Sequence, residues 1–383
     1  MNMQIALGLR RLGHDVYYIE ATSVWPYDPI RQMKVNDSDY AVPYLARVTD
    51  GFGLGERWAY RRSYSDKEWL GPMRQKAEAL LSGADAVLNI AGATFLRLEE
   101  NLKVGRLVYY GTDPVFHEVK FAAGDPIVRR IIDQHDDVVT YGENIGNAEC
   151  PIPPLPGLRA KTRQPIILDL WKVGPPSTTA FTTICNWSQK GHDIEFRGET
   201  YYWSKHREFL KFIKLPRHTK QPIELAMGLV DVSVTRPGLG EPIPAVGMTS
   251  DERNTLADNG WHLRNSHEFT MDPWSYREYI QSSRGEFTVA RDQNVRLRSG
   301  WFSERSACYL AAGRPVVTQD TGFGKVLPTG EGLFAFNTLE EILTAFDAIN
   351  GNYERHSRAA REIAEEYFRA EGVLSRLLND LGL

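Results

Sequence analysis

The stretch with the clearest chemistry runs from Ser299 to Gly322 and reads Ser-Gly-Trp-Phe-Ser-Glu-Arg-Ser-Ala-Cys-Tyr-Leu-Ala-Ala-Gly-Arg-Pro-Val-Val-Thr-Gln-Asp-Thr-Gly. A glycine turn at Gly300 opens a predicted helix over 302–312, with Ser303 and Ser306 near its first turn. Unsatisfied backbone N–H groups and the positive end of the helix dipole make such a start an anion site. Arg305 adds a guanidinium suited to a phosphate. Gly313 stops the helix, 315–318 follows as a strand, and Gln319, Asp320, Thr321 and Gly322 come out at that strand's carboxyl end. Arg284 and Glu286 precede a further strand at 287–290, and Arg291, Arg296 and Arg298 come after it. Arginines near a helix start fit a diphosphate, and a solvated basic face fits them equally well.

A second group lies in the first half of the chain. Tyr110-Gly-Thr-Asp-Pro-Val-Phe-His117 follows a buried apolar run directly. Asp113 is expected at the strand's mouth, with Pro114 restricting its backbone, either as a base or as the partner that orients a histidine. A helix cap or turn residue is the plain alternative. His117 is the nearest histidine in sequence. Gly92 ends another strand and permits close approach of a ligand. Glu143 and Asn144 end a third and are expected on an acceptor side or in a turn.

The elements that must hold these residues alternate. Strands are predicted at 16–19, 86–90, 107–110 and 138–141, with helices at 5–12, 67–81 and 126–133. Residues 151–165 hold Pro151, Pro153, Pro154 and Pro156 and read as a linker. A second alternation follows, with strands at 166–171, 223–227, 287–290, 315–318 and 333–336 and helices at 201–212, 251–259, 274–283 and 302–312. The pattern predicts an α/β chain of two Rossmann-like, doubly wound domains facing a cleft, over 1–155 and 156–360. Helices over 361–383 are expected to return to the first domain. The chain opens inside a helix, so the customary first strand and its glycine loop are expected to be missing. Lys205 and the aromatics of Tyr201-Tyr-Trp-Ser-Lys205 offer a cation and a flat surface. Ser177 to Thr179 read as a helix cap. Gly238-Leu-Gly240 lacks the spacing of a dinucleotide fingerprint and reads as a loop.

The 299–322 stretch resembles the nucleotide-sugar site of glycosyltransferases of the GT-B fold. The segment from Ser283 to Phe334 is similar to bacterial members of that group. The resemblance implies a glycosyltransferase that moves a sugar from a nucleoside-diphosphate donor, UDP- or dTDP-type, to an acceptor hydroxyl without a metal. It assigns Gly300 and Ser303 to the diphosphate and Asp320, with Gln319 second, to the donor sugar. Many members carry a ribose-binding glutamate where this chain has Cys308, with Glu304 one turn earlier as its substitute. A sugar-nucleotide epimerase and a non-catalytic sugar-nucleotide binder share the architecture and remain open. The acceptor, whether small molecule, glycan or lipid, is not read from the sequence.

Composition narrows the classes further. The chain has 383 residues, 42% hydrophobic, with 45 Lys+Arg against 49 Asp+Glu for a formal net charge of −4. That balance argues against nucleic acid as a main partner. No apolar run is long enough to span a bilayer. Three dispersed cysteines, Cys150, Cys185 and Cys308, form no metal spacing and suit a reducing cytoplasm.

Overall fold

The computed structural model describes residues 1–31, 33–98, 102–189, 191–228 and 247–383. The Gly238–Gly240 stretch lies outside the described residues. The chain divides into two compact units, one made of 1–142, 153–167 and 370–383, the other of 143–152 and 168–369. Among the described residues, no helix is long and apolar enough to cross a membrane.

The first unit opens with the helix Asn2–Arg11 and contains a parallel four-stranded sheet. Its strands run Val87–Ile90, Leu107–Gly111, Asp137–Thr140 and Leu158–Lys161 in that spatial order. The last of these lies inside the proline-rich stretch expected as a linker. Ala160 is buried there, and Thr162 N–H continues the ladder to Thr140 O at 2.9 Å. A smaller sheet pairs Tyr18–Glu20 with Trp58–Arg61 in parallel and Trp58–Arg61 with Trp69–Leu70 antiparallel. Of the helix predicted over 67–81, only Ala77–Gly83 forms. Gly71 adopts a φ of +90° and turns the chain after Trp69–Leu70 has paired as a strand. The helix Ala370–Leu381 packs its buried Val373, Leu374 and Leu377 in this unit, and Ala370 N–H donates to Ile166 O at 3.0 Å.

The buried run 166–171 is not the strand it resembles. Ile167 N–H donates to the buried Gln4 Oε1 at 3.0 Å, and Leu168–Leu170 is a 3-10 turn. A short continuous apolar run reports burial, not conformation. The second unit's first strand is Phe181–Cys185.

That unit is built on six parallel strands in the order His262–Asn265, Ile223–Met227, Phe181–Cys185, Gly285–Thr288, Val316–Gln319, Leu333–Phe336. Numbered along the sequence this is 3-2-1-4-5-6, the doubly wound order. Phe181, Leu225, Phe287, Val317 and Phe336 form the interior with Phe209, Trp261 and Phe346 packed on them. Strands buried on both faces need such continuous apolar runs.

A buried carboxyl in the first unit gives a stability test. Glu118, 4% exposed, accepts the Val115 N–H at 2.8 Å in the first turn of the helix Phe116–Ala122. Burial pushes its pKa up to about 7 from 4.5. The folded chain therefore binds more protons than the unfolded chain between those values, and stability falls as pH rises through that window. Glu118→Gln keeps an oxygen for Val115 and removes the charge. Its denaturation midpoint should exceed wild type near pH 8, by on the order of 3 kcal/mol in stability, and converge on it below about pH 5. A difference that does not vary with pH would rule this account out.

Candidate functional site

In a doubly wound sheet, ligands sit outside the carboxyl ends of the strands where the order reverses. Here that point lies between Phe181–Cys185 and Gly285–Thr288. The helix Glu304–Ala311 starts beside it, with Ser303 as N-cap. The Ser303 hydroxyl accepts none of that helix's amides. Ser306 is fully buried, and among the described residues its hydroxyl finds no hydrogen-bond partner.

Arg305 is committed largely to the protein. Its Nε donates to Glu286 Oε1 at 2.5 Å, one terminal nitrogen to Thr288 Oγ1 at 3.0 Å and the other to the Ile184 carbonyl. Burial opposes its charge, but the wholly buried Glu286, together with Tyr276 and Cys185, outweighs this and raises its pKa. Glu286 is thus the counter-ion that holds Arg305 in place at the switch point.

Lys205 is different. It immediately precedes the helix His206–Lys211 and lies half-buried with its Nζ 5.8 Å from the centre of the Trp301 ring. Among the described residues no carboxylate pairs with it. Burial, then the neighbouring Arg305 charge, and more weakly Arg291, bring its pKa down to about 7, against smaller opposing effects of Cys185 and Glu286. The Arg291 guanidinium lies 3.4 Å from the Trp203 ring centre, and His192 stacks on the same ring at 4.8 Å. Half-buried positive charge without a local counter-ion favours an anionic ligand. Sequence reasoning gave Lys205 no phosphate role, and it took the second unit's first strand to be 166–171 where the structure has Phe181–Cys185. Only with Phe181–Cys185 as that strand does Lys205 belong to the loop leaving the switch point.

The turn at Gly300 and the loop after Val316–Gln319 are tied into one knot. Gly300 N–H donates to Thr321 O at 2.9 Å, and Thr321 Oγ1 donates to Trp301 O at 2.6 Å. Arg298 donates to Asp320 Oδ2 at 2.7 Å, while Asp320 Oδ1 accepts the Gly322 N–H at 2.7 Å. Asn144, fully buried, closes the knot. Its Nδ2 donates to Arg298 O and Gly322 O, each at 3.1 Å, and its backbone N–H donates to Ser299 O at 3.1 Å. Gly300 and Gly322 have φ of +76° and +90°, and a Cβ on either would come within 2.7 Å of Asn144. Both positions therefore require glycine for conformation and for space.

Several expected placements change accordingly. Asn144 and Glu143 belong to the second unit, and Asn144 has its amide committed to the loops, not to an acceptor pocket. Gln319, 4% exposed, accepts Ala290 N–H at 3.2 Å and donates to the buried Glu208 at 2.6 Å, so both ends of its amide are engaged within the protein. Arg284 precedes its strand and so sits at the amino end, where it holds Asn350 Oδ1 at 2.8 Å and lies over Tyr353. A four-residue strand separates it from the carboxyl ends by roughly 13 Å. Arg296 braces the hairpin Ile194–Phe196/Glu199–Tyr201 through Glu199 and the Thr200 carbonyl. Glu304 accepts the Cys308 thiol at 3.6 Å.

In the first unit, Asp113 is exposed after Leu107–Gly111 and His117 lies half-buried in the helix that follows. His117 Nδ1 is 2.5 Å from the Tyr109 hydroxyl. Burial raises the Tyr109 pKa, which keeps that hydroxyl protonated. Gly92 packs on the Tyr109 ring, where a Cβ would come within 2.8 Å of it, so its small size serves this packing.

No protein-family model and no curated protein sequence matches the chain. Solved structures do. Sucrose-phosphate synthase from Thermosynechococcus elongatus superposes with a TM-score of 0.53 at 11% identity, covering 99% of this chain and 92% of that one. Anabaena HepE, solved with UDP and glucose, superposes with a TM-score of 0.53 at 11% identity, covering 96% of this chain and all of that one. At such identity the likeness speaks to architecture, and it agrees with the strand order: the chain has the two-domain α/β fold of the GT-B glycosyltransferases.

Proposed function

We propose that the chain is a glycosyltransferase whose second unit binds a nucleoside-diphosphate sugar. The observation that carries the reading is Lys205, a half-buried cation with no carboxylate partner among the described residues, beside the start of Glu304–Ala311 at the sheet's switch point. A diphosphate supplies the missing negative charge. The leaving diphosphate would be stabilised by Lys205 and by the N–H groups of the helix start, which gain strength as charge develops on it. Asp320 and Gly322 border the same knot and are the proposed contacts to the donor sugar. In the first unit Asp113 is the proposed contact to the acceptor hydroxyl, with His117 held by Tyr109. The UDP bound in the Anabaena HepE structure favours uridine as the base.

The test is calorimetric titration with UDP, dTDP, GDP and ADP, followed by incubation of the matching sugar nucleotide with and without an acceptor panel. One diphosphate should bind, and its release from the sugar nucleotide should depend on acceptor. Absence of binding by all four would refute the site. Conversion of donor alone into its epimer would replace transfer by epimerisation.

A further inference from the structure

A buried phenol in the first unit has a single place to send its hydrogen. Tyr109 lies on the strand Leu107–Gly111, 3% exposed, with its hydroxyl 2.5 Å from His117 Nδ1. Among the described residues that nitrogen is the hydroxyl's hydrogen-bond partner. The ring leans towards the carboxyl end of its strand, since a Cβ on Gly92 or Gly111 would come within 2.8 or 2.9 Å of it. His135 meets the ring edge-on at 5.4 Å and His117 does so at 5.7 Å.

The turn that presents His117 is held as firmly. Val115 adopts a φ of +98°, which a β-branched residue rarely takes. The Glu118 carboxyl accepts the Val115 N–H at 2.8 Å, and Val115 O accepts the Val119 N–H at 3.0 Å. Strain of this kind persists only where the surroundings impose it, and it gathers at functional sites. Asp113 is exposed on the same turn, at the carboxyl end of a parallel strand, where ligands bind.

Donor and acceptor follow from these contacts. Burial, and then the Glu118 and Asp113 charges, oppose ionisation of Tyr109, so the hydroxyl keeps its hydrogen. If His117 donated from Nδ1, that hydrogen would be left in a buried setting without an acceptor, which carries the full cost of an unsatisfied donor. If Tyr109 donates to Nδ1, both groups are satisfied. The neutral ring then carries its own hydrogen on Nε2, because the bond made by one ring nitrogen sets the state of the other.

We propose that Tyr109 is a positioning residue: it fixes neutral His117 as the Nε2–H tautomer, so that His117 meets a ligand as a hydrogen-bond donor and not as a base. Its consequence for sugar transfer rests on the glycosyltransferase reading; the tautomer itself does not. In that transfer the acceptor oxygen bonds to the anomeric carbon, the bond to the diphosphate breaks, and the acceptor hydrogen leaves as a proton. The His117 lone pair that would take it is turned to Tyr109. The Asp113 carboxylate receives it instead, and His117 Nε2–H donates to an oxygen lone pair.

The test is nitrogen-15 NMR of the full chain labelled at histidine, above the titration range of imidazole, with the His117 signals identified by their loss in His117→Gln. Wild type should show Nδ1 unprotonated and Nε2 protonated, without averaging between tautomers. Tyr109→Phe removes the hydrogen that fixes the ring and should admit a measurable fraction of the Nδ1–H form. A wild-type ring protonated at Nδ1, averaging between tautomers in wild type, or an unchanged tautomer ratio in Tyr109→Phe would each overturn the inference. Rates with an acceptor from the panel above test the consequence. Asp113→Asn should lower kcat about a hundredfold or more. His117→Gln places an amide N–H where Nε2–H stood and should recover about tenfold over His117→Phe. Equal loss in the glutamine and phenylalanine variants would give His117 the base's role and overturn the assignment. A chain that turns over no sugar nucleotide yet shows the fixed tautomer would instead remove the glycosyltransferase reading and leave the Tyr109–His117 assignment standing.

Discussion

Replacing Lys205 by methionine is expected to weaken UDP binding by roughly 10- to 100-fold, the effect of losing one charge-assisted contact to a phosphate. Methionine keeps most of the stem's length and its packing beside Trp301, so the change isolates the charge. The pH dependence makes the prediction sharper. With its pKa near 7 in the free protein, Lys205 is half neutral at neutral pH. A bound diphosphate favours the ammonium form, so binding takes up a proton. UDP affinity should therefore fall by up to tenfold per unit as pH rises above about 7. The terminal phosphate of UDP, with its second pKa of about 6, is already ionised there and contributes little to the slope. Lys205→Met should flatten the profile. Calorimetry in two buffers of different ionisation enthalpy would report the proton uptake directly. A wild-type affinity independent of pH from about 7 to 9 would contradict the placement of Lys205 at the phosphates.

The second large effect is expected at Asn144. Asn144→Ala leaves the Arg298 and Gly322 carbonyls without their donor in a buried setting. At about 1–3 kcal/mol for each of the two unsatisfied groups, the second unit should lose on the order of 2–6 kcal/mol. Asn144→Asp should be worse than alanine, because it aims carboxylate oxygens at two carbonyl oxygens. The measurement is denaturant unfolding, following the transition that UDP shifts upward. Both variants should also bind UDP more weakly, since the Gly300 turn and the Asp320 loop lose their common anchor. An aspartate variant more stable than the alanine variant would show that the amide does not hold the loops.

The doubly wound plan was legible because alternation and buried β-branched runs are local signals. The helices Pro126–Asp133 and Glu304–Ala311 and the strand Leu333–Phe336 lie where the sequence predicts them, each bounded by proline, serine or glycine punctuation. The 166–171 run was misleading, since Ile166 and Ile167 are buried against helices as deeply as any strand residue. Within the candidate site, residue types at strand ends pointed to Arg298, Gly300, Asp320 and Gly322, which the structure ties into one knot of loops. What they could not reveal is prior commitment. Gln319 has the right chemistry for a sugar hydroxyl, yet Glu208, 111 positions away, already occupies its amide. Arg305 likewise answers to Glu286. Such pairings are products of tertiary packing and leave no mark in spacing.

The path of the chain through Glu143–Ile152 has a bearing on biosynthesis. Asn144 emerges from the ribosome 154 residues before Arg298 and 178 before Gly322, the groups it must clasp. The helix Ala370–Leu381, made after the whole of the second unit, completes the unit to which the helix Asn2–Arg11 belongs. The first unit therefore cannot be completed before the second has been translated in full, which closes a first-unit-then-second-unit order of folding to this protein. Expressing 168–369 by itself would yield a donor unit without its clasp.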